Sequence, residues 1–246
     1  MLYKTISLLS LLVICALCVL SCKKKKGLNL SNIKIATVDF HESDGHGYKY
    51  RITYDTYGNV DSIIANGTGA AAGDDPISKF TYLGSSFRIT NKMGESYFVY
   101  ANTAGMILEV QKYDTMLMTY NGTQLDELDY KLPTSTPPYY TINAYTYQWS
   151  NGDIATFGLL HGAADTFSYN DSRSGQVGDA LRIDDFLVYG RPYKLTSHLP
   201  VEHKYTNGKQ QYFYTFDGSG RISTFTRVIS GSGAPNDTSE YTYTYY

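Results

Sequence analysis

The stretch Tyr48-Lys-Tyr50-Arg-Ile52-Thr-Tyr54-Asp55-Thr-Tyr-Gly58-Asn-Val60-Asp-Ser-Ile63 decides how this chain reads. It returns near the C-terminus as Tyr212-Phe-Tyr214-Thr-Phe216-Asp217-Gly-Ser-Gly220-Arg-Ile222-Ser-Thr-Phe225. In each copy large apolar side chains recur at every second position, which puts Tyr50, Ile52 and Tyr54, or Tyr212, Tyr214 and Phe216, on one face of an extended strand. Each run stops at an Asp. Asp suits the first position of a type I turn, and the glycine three places on takes the left-handed conformation that closes a short bulged hairpin loop. Val60 and Ile222 reopen the alternation, so each copy reads as strand, turn, strand.

Outward from these copies the same grammar continues with other turns. Phe80-Thr-Tyr82 to Phe87-Arg-Ile89 turns at Gly84-Ser-Ser. Tyr97 to Tyr100 and Met106 to Val110 read as a further hairpin, with its turn one residue longer than that from Tyr54 to Gly58. Asn121-Gly122, Asn151-Gly152 and Asn207-Gly208 are two-residue hairpin signals. A lone hairpin is marginal in water, so each unit buries its aromatic face only by pairing with neighbours. The closing Glu240-Tyr-Thr-Tyr243-Thr-Tyr-Tyr246 alternates as a final strand. The predicted fold is all-β: an antiparallel meander of repeated hairpins in a strongly curled or barrel-like sheet. From Thr166 to Ser197 the alternation fades. There one short helix is predicted near residues 179–189, capped by Asp179, carrying Leu181, Ile183, Phe186 and Leu187 on one side and ended by Gly190 and Pro192, lying across an open face or end of the sheet.

The pattern aromatic-x-aromatic-Asp-x-x-Gly-x-aliphatic resembles the tyrosine-aspartate (YD) repeats of Rhs-type proteins. More closely, the chain is similar to a group of small Gram-negative envelope lipoproteins, defined only as a domain of unknown function, that carry degenerate copies of the repeat. Asp55 with Gly58 and Asp217 with Gly220 occupy the turn positions. The stretch Ile183-Asp-Asp-Phe-Leu-Val-Tyr-Gly190 followed by Ser197-His-Leu-Pro200 is similar to a segment of that group. The resemblance implies antiparallel β architecture and carries no catalytic residue.

Composition agrees with strands: 25 Tyr and 10 Phe accompany a single Trp in 246 residues. Tyr suits a surface dry on one side and wet on the other. The first residues read as an address. Lys4 is a basic head, Ile6 to Leu20 an apolar run, and Val19-Leu-Ser-Cys22 resembles a lipobox in which Cys22 becomes the lipid-bearing first residue. The predicted organisation is therefore a lipoprotein signal peptide over 1–21, a lipidated Cys22 and tether over 22–31, and a single β domain over 32–246. Pro133 to Pro138 is read as a loop inside that domain, because the hairpin grammar resumes beyond it.

All three cysteines, Cys15, Cys18 and Cys22, lie in the leader, so the body holds no disulfide. Without Lys4 and Lys23 to Lys26, the 21 basic residues fall to 16 against 23 acidic ones. An acidic body argues against nucleic acid as a partner. The expected partners are a membrane, through the lipid anchor, and an envelope protein or glycan. The expected address is the cell envelope, at the outer membrane, on its periplasmic or surface side.

Several groupings were weighed for chemistry. His41-Glu42-Ser-Asp44-Gly-His46 mixes metal-ligand types without a ligand spacing and reads as a polar turn, so no metal is expected. Asn66 to Gly73 is glycine-rich but is followed by Asp74-Asp75-Pro76 and no helix, so it reads as a connection and no nucleotide cofactor is expected. His198 and His203 have no Gly-x-Ser-x-Gly nucleophile to serve, and Asp184-Asp185 are neighbours that do not face each other on a helix. No catalytic residue is assigned. The expectation is a non-catalytic scaffold or binding module with its binding residues unassigned. The alternatives are a small-ligand or lipid-binding barrel and, behind it, a carbohydrate-active hydrolase. Rows of Tyr with Trp149 are the candidate aromatic binding surface.

Overall fold

The computed structural model describes residues 33–69, 77–112, 114–132, 140–159, 162–192, 196–231 and 237–246. The predicted leader, Cys22, the Lys23 to Lys26 run, the Asp74-Asp75-Pro76 stretch and the Pro133 to Pro138 loop lie outside them. Residues Lys34–Tyr246 form one compact unit. Its strands are β1 (Ile35–Glu42), β2 (His46–Tyr54), β3 (Val60–Gly69), β4 (Ile77–Leu83), β5 (Ser86–Asn91), β6 (Ser96–Ala101), β7 (Ile107–Gln111) and β8 (Thr115–Asn121). There follow β9 (Gln124–Leu132), β10 (Tyr140–Ser150), β11 (Asp153–Leu159), β12 (Ala164–Ser174), the helix α1 (Ile183–Tyr189), β13 (His198–Tyr205), β14 (Gly208–Phe216), β15 (Ile222–Gly231) and β16 (Asp237–Tyr245). Each strand pairs antiparallel with its sequence neighbours, and β1 pairs with β16 from Thr37↔Thr244 to Glu42↔Ser239, so the sheet shuts into a 16-stranded barrel. In this up-and-down order the connections after even-numbered strands fall at one end, with Lys34 and Tyr246. Those after odd-numbered strands fall at the other.

The turns follow their side chains. Asp55 Oδ1 accepts the backbone N–H groups of Tyr57 (2.9 Å) and Asn59 (2.8 Å), and Gly58 N–H donates to Asp55 O (3.1 Å). Asp217 repeats this with Ser219 (2.8 Å), Arg221 (2.9 Å) and Gly220. Gly58 and Gly220 sit at φ 87° and 79°, where a side chain would be strained. Asn91 and Asn102 build the same loop, each Oδ1 accepting two N–H groups, with Gly94 and Gly105 in the glycine place. The Tyr97 to Val110 turn is therefore not longer than the Asp55 turn. Its loop starts at Asn102, and the strand before it extends to Ala101 because Asn supplies the same acceptor as Asp.

Tyrosine on even-numbered strands has a second task. Tyr54 O–H donates to Ile35 O (3.0 Å), Tyr82 to Val60 O (3.0 Å), Tyr169 to Ile154 O (3.0 Å) and Tyr245 to Ile222 O (2.6 Å). Trp149 Nε1–H does the same for Leu125 O (2.7 Å). Each acceptor is in the first or second residue of the preceding strand, and four of the five donors flank or sit in a strand pair whose register slips at a bulge. The aromatic before the turn thus fills the core with its ring and satisfies a backbone carbonyl with its polar atom.

Alternation sorts the two faces. Along β16, Ser239, Tyr241 and Tyr243 are buried while Glu240, Thr242 and Thr244 are exposed; along β5, Phe87 and Ile89 are buried and Arg88 is exposed. Ile52, Ile107, Leu125, Ile154, Leu199, Ile222 and Phe225 fill the interior. Lys49, Arg51, Asp61, Lys79 and Gln148 look outward. Sixteen strands enclose enough space for a water channel. Here large rings and one segment of chain occupy it.

Both turn carboxylates are held below the usual range, Asp55 chiefly by the Asn59 side-chain amide and Asp217 chiefly by the Arg221 backbone N–H. A depressed folded value means that the stabilisation is complete above the unfolded value of about 4 and is lost as pH falls through the folded one. The melting temperature is expected to hold from pH 7 to 5 and to fall below about pH 4. An Asp55→Asn, Asp217→Asn double variant keeps the acceptors, as Asn91 and Asn102 do, and should fall less steeply. Thermal melts by circular dichroism across this range check it, and parallel curves for the two proteins would refute the assignment.

Candidate functional site

Between β12 and β13 the described residues 175–192 leave the wall and turn into the lumen as a plug. Two backbone bonds start it: Gly175 N–H donates to Ser197 O (3.0 Å) and Ser197 N–H to Gly152 O (2.9 Å). Gln176 then locks it to the β14–β15 turn, its Nε2 donating to Gly220 O (3.0 Å) and its Oε1 accepting Ile222 N–H (3.1 Å). Asp179, fully buried, accepts the N–H groups of Gln176 (2.9 Å) and Leu181 (3.1 Å) and the Arg182 guanidinium, which also donates to Thr196 O. Burial raises the Asp179 carboxyl above its ordinary value, and Arg182 pulls it back.

The plug is tied on its other sides as well. Tyr243 O–H donates to Gly178 O (2.8 Å), and Ala180 N–H donates to the Tyr214 hydroxyl (3.3 Å). Arg191 donates to Gly105 O (3.1 Å) and lies 4.9 Å from the Phe87 ring centre. Gly190 ends α1 at φ 69°, and a Cβ there would stand 2.9 Å from Phe80. The predicted helix is thus present, but it starts at Ile183, because Asp179 spends its carboxylate on a tight turn that precedes the helix. It lies inside the barrel, since only the lumen offers apolar cover for both Ile183 and Phe186.

Asp184 and Asp185 diverge. Asp185 is buried and adds its negative charge to burial in raising the Tyr120, Tyr130, Tyr147 and Tyr189 hydroxyls. Asp184 is exposed and, with Ala180 and Leu181, forms the plug side of a cavity of about 250 Å³. The facing wall is a belt crossing six strands. Tyr147 of β10 pairs with Phe157 of β11, Phe167 of β12 with His203 of β13, His203 with Gln210 of β14, and Tyr212 of β14 with Arg227 of β15. Phe167 and His203 rings stack at 4.5 Å and 16°, and Tyr147 and Phe157 at 5.7 Å and 19°. His203 Nε2 lies 2.9 Å from Asp165 Oδ2. Tyr212 O–H donates to Gln210 Oε1 (3.1 Å), and Arg227 Nη2 donates to Ser239 Oγ (3.1 Å).

The arrangement defines a closed β-barrel with an aromatic interior, a plug within it and a mixed aromatic and polar cavity beside the plug. Two solved structures share the fold. One is a porin-like protein from Bacteroides uniformis, 16% identical, matching 86% of this chain and 96% of that one with a TM-score of 0.62. The other is a porin-like protein from Bacteroides vulgatus, 14% identical, matching 87% of this chain and 99% of that one with a TM-score of 0.52. No family model and no curated protein matches the chain.

Other residues singled out in the sequence fall as follows. His41 and His46 flank the β1–β2 turn beside Asp39 and Asp44, and among the described residues no group of three or more His, Cys, Asp and Glu is set to hold a metal ion. His198 Nδ1 lies 2.7 Å from Asp153 Oδ2, and its N–H donates to Asp153 Oδ1. This pair ties the start of β13 to β11, and His198 is not beside His203 in the cavity. Trp149 and most Tyr rows do not make an outer binding face. Their rings point inward, and the Trp149 N–H is spent on Leu125. Sequence reading missed Gln210 and Arg227. The available signal was a polar residue at an inward position, Gln210 before Tyr212 and Tyr214, and Arg227 between Phe225 and Ile229.

Proposed function

We propose that this chain is a lipid-anchored cell-envelope protein, tethered through Cys22 at the outer membrane, whose barrel is a non-catalytic module that holds a small ligand in the lumen. The observation that supports this is the orientation of the wall. A membrane pore turns apolar side chains out and polar ones in. This barrel carries Lys49, Arg51, Lys79 and Arg88 outward among scattered apolar groups such as Phe98, Leu108 and Phe213, and keeps Ile52, Phe87, Ile89 and Phe225 inward. A Lys or Arg at the bilayer midplane costs about 2–4 kcal/mol, so such a wall favours water. The plug also fills the route that a solute would take. The likeness to porin-like proteins supports an envelope setting, and the chain's own side chains support a receptacle and not a conduit.

Fractionation and bilayer recording test this together. Full-length protein is expected to sediment with membranes and to come off in detergent, whereas Cys22→Ser should appear in the soluble fraction. Purified protein added to planar bilayers should give no conductance steps. Stepwise conductance, or Cys22→Ser that resists alkaline carbonate extraction, would overturn the proposal.

A further inference from the structure

The cavity belt is chemically lopsided. Its β10–β13 half is rings: Tyr147, Phe157, Phe167 and His203. In the stacked pairs Tyr147–Phe157 and Phe167–His203 each ring covers one face of its neighbour, so the rings form a continuous apolar strip. Its β14–β15 half is donors. Gln210 has given its carbonyl oxygen to Tyr212, which leaves its amide N–H groups for the cavity. Arg227 has one hydrogen bond, to Ser239, and no carboxylate within ion-pair distance among the described residues. Its Nε is sealed from the cavity and makes no hydrogen bond, so an anion in the cavity would be met by the remaining terminal N–H groups of the guanidinium. The carboxylate of Asp165 is already engaged by His203, and Asp184 stands on the opposite, plug side.

We infer that the cavity binds a small aromatic carboxylic acid, its ring along Phe157 and Phe167, its carboxylate on Arg227 and Gln210, and a ring hydroxyl donating to Asp184. This rests on the lumen-binding reading and names the ligand class for it. Size agrees: an apolar cavity of about 150 Å³ takes benzene, and the 250 Å³ here leaves room for a carboxylate arm. A neutral sugar fits less well, because it brings no anion for the Arg227 guanidinium.

Calorimetric titration of the full-length protein in detergent tests the inference with four probes: 4-hydroxyphenylacetate, phenylacetate, 4-hydroxyphenylacetamide and glucose. The first is expected to bind tightest. The amide, which lacks only the charge, should bind at least 10-fold more weakly, a comparison that needs no variant. Arg227→Met should lose at least 10-fold for the acids and markedly less for the amide, with Arg227→Lys between Met and the parent for the acids and near-ultraviolet circular dichroism reporting the aromatic packing of each. Asp184→Asn should narrow the gap between the hydroxylated acid and phenylacetate. Equal binding of acid and amide, or preference for glucose, would overturn the acid and leave the lumen-binding reading standing. No heat from any probe at millimolar concentration, with intact aromatic packing, would overturn both.

Discussion

Arg182→Met is expected to lower stability by about 3–5 kcal/mol, because it strands the buried Asp179 carboxylate and the Thr196 carbonyl without their donor. In a unit of this size that corresponds to a melting temperature lower by about 10 °C. The cost reaches past the ion pair. Asp179 also organises the N–H groups of Gln176 and Leu181, and Gln176 is the clamp on the β14–β15 turn. Asp179→Leu should match it, leaving Arg182 as the unpaired buried charge, and the double variant Asp179→Leu, Arg182→Met should recover much of the loss, since a paired buried charge is roughly exchangeable for apolar packing. Guanidinium melts of the four proteins form the cycle. If both single variants melt as the parent does, the plug is not held as described.

Phe225→Ala is expected to cost about 3–5 kcal/mol, and Phe213→Ala next to nothing. The two phenylalanines lie on adjacent strands, yet Phe225 is 1% exposed and Phe213 54%. Phe225 packs between Tyr214 (5.3 Å) and Tyr241 (5.0 Å), so its removal opens a hole that rings on three strands cannot close. The contrast tests the orientation of the wall directly. A barrel facing lipid would show the opposite ranking in detergent, and equal losses would contradict both arrangements.

How much of this was legible in the chain follows from range. The hairpins and their turns were, because Asp55, Gly58, Asp217 and Gly220 act on atoms within four residues of themselves. The Asn91 to Gly94 loop carries the same signal more faintly, since polar Thr90 and Ser96 stand where Tyr54 and Val60, or Phe216 and Ile222, frame the other copies. The fading of alternation after Thr166 misled in part. β12 continues to Ser174 as a strand whose residues Asn170 to Ser174 are exposed, so no buried face enforces the period there. Closure of the barrel was only anticipated as an option. The pairing of Thr37 with Thr244 is a contact between chain ends, and nothing near either residue encodes it. The plug was invisible for a related reason. Ile183 and Phe186 announce a helix with one apolar side, but whether that side meets an outer face or a lumen depends on the width of a barrel set by the strand count. Gln210 and Arg227 become meaningful only once inward parity is known.

Joining the first ribbon to the last has a consequence for folding. Until β16 has docked, β1 and β15 each present a bare row of N–H and C=O groups, the kind of border that recruits other chains. A chain stopped before residue 237 would be held at that stage, and its natural fate is to find its missing partner on another copy.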